Sequence, residues 1–251
     1  MTVALYAFTC GHLTMPMAAF LEGEPGSLTV PVPAFLAVHE AGAVLFDTGL
    51  NPRLADADRL YGGRIHASIE THVTPADLID ARLHAAGIDP HAIAFVVNSH
   101  LHFDHAGGNC LAPDVPVLVQ AREIDAARRG GARFGYVEED YDTGQTLRAL
   151  DGAHDVFGDG SVVCLPTYGH TPGHQSLKVA TPRGTYVLAG DACYLRRTLE
   201  EMHLPASRYD AEAMRASLTR LKALQRRGAT IVYGHDPEFW AGVPQAPSRL
   251  A

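Results

Sequence analysis

Lysine is almost missing from this sequence, since only Lys178 and Lys222 occur among its 251 residues. The formal net charge is −8 with histidine neutral, because 28 acidic residues face 20 lysines and arginines. No long basic run offsets this balance, whereas a surface that binds nucleic acid needs a concentrated positive patch. We therefore expect no nucleic acid among the partners of this chain.

Membrane and export signals are also missing. No apolar run approaches the ~18 residues that a membrane span requires, and the start MTVALYAFTCGHLTM lacks the basic and long apolar regions of a signal peptide. The four cysteines, Cys10, Cys110, Cys164 and Cys193, show no C-x-x-C spacing. We expect a cytoplasmic protein with reduced, mostly buried thiols and without a membrane partner.

What the sequence does contain is a series of short apolar segments bounded by Gly, Pro or Asp. Their length and their content of Val, Leu and aromatic residues predict strands. The segments are TVALYAF, PAFLAVHE, AVLFDTG, AIAFVVNSH, VPVLVQ, SVVCLP, HQSLKVA, TYVLAGD and TIVYGHD. Apolar residues make up 47% of the chain, enough for a full core. We predict one domain that spans residues 1–251.

Three segments between these strands predict helices. The segment TPADLIDARLHAAG offers Thr74 as N-cap, Pro75 at the first helical position and Gly87 past the end. The segment YDAEAMRASLTRLKALQRRG has a clearer apolar stripe, and AREIDAARRG predicts a shorter helix. Many strands with helices among the later ones favour an α/β fold, in which two sheets pack face to face and the helices lie outside.

Five of the predicted strands end at a histidine or an aspartate. These residues are Asp47, His100, His170, Asp191 and His235. Strands are rigid supports, so polar side chains at one edge of the sheets form a preorganised site. We expect the functional site at this edge.

The stretch NSHLHFDHAGG adds three more polar residues of the same kind, His102, Asp104 and His105, beside His100. Neutral imidazoles and carboxylates are the ligands of Zn²⁺ and similar cations. The candidate ligands are His100, His102, Asp104, His105, His170, Asp191 and His235. This set is too large for one tetrahedral ion and suits two ions about 3.5–4 Å apart. The alternative, a chance cluster of surface histidines, is favoured only for isolated residues such as His39 and His66.

The motifs also carry a family resemblance. The segment SHLHFDHAGGN contains the H-x-H-x-D-H signature of the metallo-beta-lactamase superfamily, and FDTG, GHTPGH, GDACY and YGHD follow the order found there. Within that superfamily the chain is most similar to the N-acyl homoserine lactonases, through SHLHFDHAGGN, HTPGHQSL and a tyrosine, Tyr194, three residues after Asp191. The resemblance implies an αββα sandwich with a dinuclear zinc centre, two Zn²⁺ per chain, at one edge.

Carried over by this resemblance, His100, His102 and His170 bind the first zinc, whereas Asp104, His105 and His235 bind the second. Asp191 bridges the two ions. Asp47 orients a ligand imidazole, or merely closes the turn after its strand. His174 has a structural hydrogen-bonding role, and Cys193 is a small buried residue rather than a ligand.

The resemblance further implies hydrolysis of the lactone ring of N-acyl homoserine lactones by a hydroxide that bridges the metals. Asp104 would carry a proton to the leaving ring oxygen, and Tyr194 would donate a hydrogen bond to the carbonyl oxygen. The alternative for Tyr194 is an aromatic residue packed at the rim. The partner is a small lactone, and the chain acts as a monomer or a homodimer.

Other functions stay open. The same site suits another lactone, such as a pyridoxine-derived one, or a thioester or phosphodiester, and a non-catalytic metal-binding protein is a further class. Thioester and phosphodiester hydrolases usually bring a basic clamp or a separate C-terminal substrate domain. No lysine lies near the motifs to hold the carboxylate of a β-lactam.

Apolar side chains are the candidates for the walls that hold an acyl chain. They are Met15, Met17, Phe20, Leu21, Tyr61, Ile65, Phe103, Phe134, Tyr136 and Tyr141. For each of them, a place in the core is the alternative.

Overall fold

The computed structural model describes residues 2–56, 61, 63–65, 67–131 and 135–251. Phe134, a predicted wall residue, and His66 lie outside these residues. Two sheets stack with helices on their outer faces, which confirms the predicted αββα sandwich.

Seven strands form the first sheet, in the order β4-β1-β2-β3-β5-β6-β7. Their bounds are β1 Ala4–Pro16, β2 Ser27–His39, β3 Gly42–Phe46, β4 Glu70–His72, β5 Ile93–Val97, β6 Val117–Gln120 and β7 Leu147–Leu150. Five strands form the second sheet, in the order β12-β11-β10-β9-β8. Their bounds are β8 His154–Asp155, β9 Val162–Pro166, β10 Gln175–Thr181, β11 Gly184–Leu188 and β12 Thr230–Val232.

All nine predicted strands are present, but β4, β7 and β8 were not predicted. Each of these three short strands lies at an edge of its sheet. An edge strand has one open side and carries polar residues, so it lacks the apolar pattern of an inner strand. Its existence depends on the neighbour with which it pairs.

The α-helices of the described residues lie between and after the strands. They are α1 Pro52–Ala55, α2 Ile79–Ala85, α3 Phe103–Ala106, α4 Ala121–Gly130, α5 Glu138–Tyr141, α6 Arg196–Glu200, α7 Ala211–Arg226 and α8 Pro237–Trp240. Helix α7 begins as predicted, because the Asp210 side chain accepts hydrogen bonds from the backbone of Glu212 and Ala213. No helix in the described part of the chain is long and apolar enough to cross a membrane.

The prediction of one helix that begins after Thr74 is wrong in one respect. Thr74 and Asp77 form a capping box, but it closes only a 3-10 turn, Pro75–Asp77. Leu78 is then extended, with φ −65° and ψ 146°, and α2 begins at Ile79. Only Ile79 and Leu83 of α2 are buried, so an apolar stripe long enough to hold one continuous helix is not available.

The inner strands are buried on both faces, which is why they read as continuous apolar runs. Alternate residues face opposite layers. Val44 and Phe46 of β3 pack between the two sheets with Leu177 and Leu188, whereas Leu45 packs on the outer side with Leu83 of α2. On the other outer face, the α7 residues Met214, Leu218 and Leu221 cover Val187 and Ile231 of the second sheet.

Strand direction brings the polar strand ends together. Strands β3 and β5 are parallel, as are β11 and β12. Strand β9 runs in the direction of β11, because both pair antiparallel with β10. The carboxyl ends of β3 and β5 in one sheet therefore meet those of β9, β11 and β12 in the other, at one edge of the sandwich.

Candidate metal centre

All seven predicted ligands converge at this edge, in two groups. The first group contains His100, His102, His170 and Asp191, and the second group contains Asp104, His105 and His235. In each group the candidate ligand atoms lie within 4.8 Å of one another. The residues come from the loop after β5, from helix α3 and from the segments that follow β9, β11 and β12, at the edge that the strand-end pattern predicted.

Ring nitrogens face each other at the centre of each group. His170 Nε2 lies 3.2 Å from His100 Nε2 and 3.1 Å from His102 Nδ1. In the second group, His105 Nε2 and His235 Nε2 are 3.3 Å apart. The three imidazole nitrogens of the first group point at one another, and their lone pairs repel unless a proton or a cation lies between them. A metal cation at the centre would accept all three lone pairs.

Asp191 lies between the groups. Its Oδ2 is 3.3 Å from His170 Nε2, and its Oδ1 is 3.1 Å from both His105 Nε2 and His235 Nε2. Oδ1 is buried and accepts no hydrogen bond of good geometry within the described residues. A buried carboxylate oxygen in this state is costly unless a cation neutralises it. The donor set and this oxygen fit the binding of metal at this edge.

The two groups differ in charge. Burial, reinforced by neighbouring imidazoles, lowers the pKa of His100 well below its usual range and lowers the pKa of His102 to about 3. Burial also lowers the pKa of His170. The first group therefore offers neutral imidazoles, the form that binds metal.

Carboxylates dominate the second group. Burial lowers the pKa of His105 and of His235, but Asp191 and Asp104 outweigh it, so the pKa of His105 lies well above its usual range and that of His235 is raised. Burial alone raises the pKa of Asp191, but His105 and His235 outweigh it and hold that pKa well below its usual range. The second group thus gathers positive charge around two carboxylates, and a dication can take the place of the protons.

Hydrogen bonds at the far side of the rings orient them. His105 Nδ1 donates to Asp47 Oδ2 at 2.9 Å, as predicted for Asp47. His235 Nδ1 donates to the Pro31 carbonyl at 2.7 Å, and His170 Nδ1 to the Ser207 carbonyl at 3.1 Å. These bonds leave the Nε2 lone pairs aimed at the centre.

Asp47 itself is held in an unusual backbone conformation. Its φ is +59°, a left-handed value that non-glycine residues rarely adopt. Asp47 Oδ1 accepts from the Ser99 backbone N–H at 2.7 Å, and Oδ2 accepts from the Ser99 hydroxyl at 2.8 Å. These hydrogen bonds keep Asp47 beside His105 despite the strain.

His174 and Cys193 belong to neither group. His174 is fully buried, and its Nδ1 lies 2.9 Å from the Thr167 hydroxyl. Cys193 is fully buried in the apolar cluster beneath α7, with Val187 and Leu199. Both positions agree with the structural roles that the sequence predicted.

Tyr194 lies deeper than a rim aromatic. Its side chain is buried, and its hydroxyl is 3.2 Å from His170 Nδ1. The ring meets Phe20 edge to face at 5.4 Å. Burial, followed by the charge of Asp191, raises the pKa of Tyr194 well above its usual range, so the hydroxyl keeps its proton at neutral pH and is available as a donor.

A cavity of about 1300 Å³ opens over both groups and Tyr194. Five of the predicted wall residues line it: Met15, Phe20, Ile65, Phe103 and Tyr136. Four others, Met17, Leu21, Tyr61 and Tyr141, do not line it. Leu21 and Tyr61 are fully buried in the core instead, since a core position satisfies an apolar side chain equally well.

Among the described residues, four arginines also line the cavity, and the sequence did not predict them there. Three form ion pairs: Arg64 with Glu139, Arg129 with Asp125 and Arg208 with Glu22. Arg122 lies over the ring of Tyr168, 4.3 Å from its centre. No motif marks these positions, which separate loops and α4 bring to one opening.

Known proteins match this chain in sequence. Residues 28–235 match the sequence profile of the Metallo-beta-lactamase superfamily. The N-acyl homoserine lactonase AttM of Azorhizobium caulinodans is 33% identical over 235 residues, which cover 90% of this chain and 89% of that protein. The N-acyl homoserine lactonase AiiA of Bacillus thuringiensis subsp. kurstaki is 34% identical over 218 residues, 85% of either chain.

Solved structures agree with the sequence matches. An N-acyl homoserine lactone hydrolase, with the product N-hexanoyl-L-homoserine bound at its catalytic metal centre, superposes with a TM-score of 0.90. It is 31% identical, and the match covers 99% of this chain and all of the other. By its sequence profile, its relatives and its fold, this chain belongs to the metallo-beta-lactamase superfamily.

Proposed function

We propose that this chain is an N-acyl homoserine lactonase, a single hydrolase domain over residues 1–251 that works with two Zn²⁺ ions. The observation that carries the proposal is Asp191, whose two oxygens face two separate clusters of imidazoles beneath one cavity. The relatives that share this chain's length are lactonases of this substrate class.

We infer that each of the two ligand groups holds one ion. His100, His102 and His170 hold the first ion, and Asp104, His105 and His235 hold the second, with Asp191 between them. When bound, zinc polarises the lactone carbonyl and lowers the pKa of a water nucleophile.

Asp104 moves the proton in this proposal. Its Oδ2 is 3.5 Å from His105 Nε2 and 3.6 Å from His235 Nε2. We infer that this carboxylate accepts the proton of the attacking water. It returns that proton to the ring oxygen when the carbon–oxygen bond of the lactone breaks.

Tyr194 supports the developing negative charge. Its hydroxyl lies on the first-group side of the cavity, beside His170. We infer that the O–H donates to the carbonyl oxygen as the tetrahedral intermediate forms. The product is the open acyl homoserine, with the former carbonyl carbon in a carboxylate and the former ring oxygen in a hydroxyl.

The apolar part of the cavity suits the acyl chain. Met15, Phe20, Ile65 and Phe103 line it, and a long acyl chain needs apolar contacts with few polar ones. The neutral lactone head then faces the metal centre.

The cavity arginines favour one rival, a substrate that carries negative charge, such as a phosphodiester. Three of the four already pair with carboxylates of the chain, so the local positive charge is largely balanced and the neutral lactone remains the better candidate. A screen of one zinc-loaded preparation against both classes decides between them.

The test is a pH-indicator assay of proton release with homoserine lactones of graded acyl length, other lactones, penicillins, cephalosporins and a phosphodiester. We expect kcat/KM within the ~10⁴–10⁸ M⁻¹s⁻¹ range of good substrates for at least one acyl homoserine lactone. Faster turnover of a β-lactam or phosphodiester than of every lactone would contradict the proposal and leave the metal site intact.

A further inference from the structure

A buried glutamate that no motif marks lies behind the first ligand group. Glu123 is in the first turn of α4 and is fully buried. It contacts the backbone of two loops that carry candidate ligands and one wall of the cavity. The lactonase mechanism proposed above does not use it.

Its two oxygens accept three hydrogen bonds. Glu123 Oε1 accepts from the backbone N–H of Leu101 at 3.1 Å and from the hydroxyl of Tyr136 at 3.1 Å. Glu123 Oε2 accepts from the backbone N–H of Gly173 at 2.9 Å. Burial raises the pKa of Glu123, but three donors around two oxygens match the ionised carboxylate, which accepts only.

Each of these donors belongs to a segment of the first ligand group. Leu101 is the residue between His100 and His102, and Gly173 lies three residues after His170. Tyr136 forms a β-bridge with His102, and the two rings are 5.0 Å apart. One carboxylate therefore ties together the segments that carry all three imidazoles of the first group.

The packing around Gly173 shows how close this contact is. A Cβ at Gly173 would overlap the backbone nitrogen and Cβ of Glu123. Only glycine lets the loop after His170 approach the start of α4 closely enough for the Gly173 N–H to reach the carboxylate.

The second group has a different support. Asp47 accepts from His105 and from the backbone and hydroxyl of Ser99. Within the described residues, the hydrogen bonds of Glu123 reach neither the ligands of the second group nor Asp47. Asp47 thus contacts a second-group imidazole directly and reaches the first group only through Ser99, whose hydroxyl lies 3.0 Å from His100 Nδ1, whereas Glu123 supports the first group.

We propose that Glu123 is a positioning residue that sets the spacing of the His100–His102 loop and the His170 loop, and so controls metal binding at the first group alone. None of its hydrogen bonds among the described residues goes to a candidate ligand side chain, and it acts through backbone amides and Tyr136. The proposal rests on the metal pair proposed above, but it does not depend on the substrate.

The test substitutes Glu123→Gln in the zinc-loaded chain. The amide has the same shape, but its NH₂ group cannot accept, so the donors that face this group, either Gly173 or Leu101 and Tyr136, lose their partner. Zinc content is measured against rising concentrations of a competing chelator. We expect one of the two binding steps to weaken by about 10- to 100-fold, as for other residues that support metal ligands, while the other step changes little.

The variant His105→Ala shows which zinc-binding step belongs to the first group, because it removes a ligand of the second group and leaves all ligands of the first. In this variant, Glu123→Gln should weaken zinc binding at the first group. A matched control is Asp140→Asn, because Asp140 is equally buried and accepts from Tyr61 and Asn51, away from the first-group loops. This control should cost comparable thermal stability without weakening the first-group step.

Amide hydrogen exchange gives a readout that does not depend on how many ions bind. In zinc-loaded Glu123→Gln, the backbone amide that faces the NH₂ group, which is either that of Leu101 or that of Gly173, should exchange at least about 10-fold faster, since it loses its hydrogen-bond acceptor. The Ser99 amide, which donates to Asp47, should stay unchanged. Equal weakening of both zinc steps, an equal effect of Asp140→Asn, or unchanged exchange at Leu101 and Gly173 would overturn the proposal.

The outcome is separate from that of the proposed function. A chain that fails to open lactones but shows these zinc and exchange changes keeps Glu123 as a positioning residue and loses the lactonase proposal. A chain that opens lactones while Glu123→Gln leaves zinc and exchange unchanged gives the opposite result.

Discussion

The two ligand groups share Asp191 but hold their imidazoles in different electrostatic states. In the first group, burial and neighbouring imidazoles lower the pKa of His100 and His102. In the second group, burial lowers the pKa of His105 too, but Asp191 and Asp104 outweigh it and raise that pKa. The same side chain at the same depth is therefore neutral on one side of the centre and cationic on the other.

The two groups also differ in the residues that hold their imidazoles in place. The second group is held by a direct side-chain contact, Asp47 to His105 at 2.9 Å. The first group is held mainly through backbone, by Glu123 and by the Ser207 carbonyl that accepts from His170, with the Ser99 hydroxyl 3.0 Å from His100 Nδ1. Carboxylates close to imidazole add charge and orientation together, whereas a carboxylate that binds amides positions the loop without raising the pKa of its histidines.

Asp191 joins the two groups, so Asp191→Ala should have the largest effect. We expect the zinc content to fall from about two ions per chain to none, because the bridge serves both ions, and turnover to fall by at least about 100-fold. Elemental analysis of the purified variant checks this. A variant that keeps one full ion would mean that the groups bind independently.

Tyr194→Phe tests chemistry on the first-group side without disturbing either ion. Only the hydroxyl beside His170 is lost. We expect kcat to fall by about 10- to 1000-fold, the range up to the loss of one oxyanion donor, with zinc content unchanged. Unchanged turnover at full zinc content would return Tyr194 to a packing role.

Asp47→Asn should affect the second group more than the first, because Asp47 contacts His105 directly but reaches His100 only through Ser99. Asparagine keeps the shape of Asp47 but removes the charge that faces His105 Nδ1. We expect a loss of about 10- to 100-fold in zinc affinity at one binding step, and that step should differ from the one weakened by Glu123→Gln. Chelator competition on the single and double variants checks this, and loss at the same step in both would remove the distinction between the two supports.

The pH dependence of zinc binding should separate the two groups directly, without any substitution. Metal binds the deprotonated imidazole, so protons compete below the pKa of the metal-free site. The pKa of His105 is raised, so affinity at the second group should already fall between pH 8 and pH 6, by up to about 10-fold per pH unit for each proton displaced. The pKa of His102 is about 3, so the first group should change little over this range. Parallel pH curves for the two steps would contradict the assignment.

Much of this molecule is predictable because its signals are local in the chain. The inner strands appear as short apolar runs, since both of their faces are buried and few other patterns produce such runs. The His100–His105 segment reveals itself by ligand type and spacing, and Asp191 and His235 stand directly after strands. Helix α7 is equally clear, because Asp210 caps it and Met214, Leu218 and Leu221 form one stripe.

Other features carry no local signal. The short edge strands β4, β7 and β8 exist because a neighbour offers them hydrogen bonds. The turn at Thr74 closes early because only Ile79 and Leu83 of the following helix are buried, a fact that packing decides. Tyr61 is as aromatic as Phe103, yet one is fully buried in the core and the other lines the cavity.

The layered architecture, the seven candidate ligands and the edge at which they meet can be predicted from the sequence, because strand periodicity and ligand type are properties of neighbouring residues. The neutral state of some imidazoles, the arginines that reach the cavity and the contact of Glu123 with the amides of Leu101 and Gly173 follow only from the folded chain. Those properties depend on burial and on contacts between residues tens of positions apart, and electrostatic energies change steeply over such short distances in a medium that excludes water.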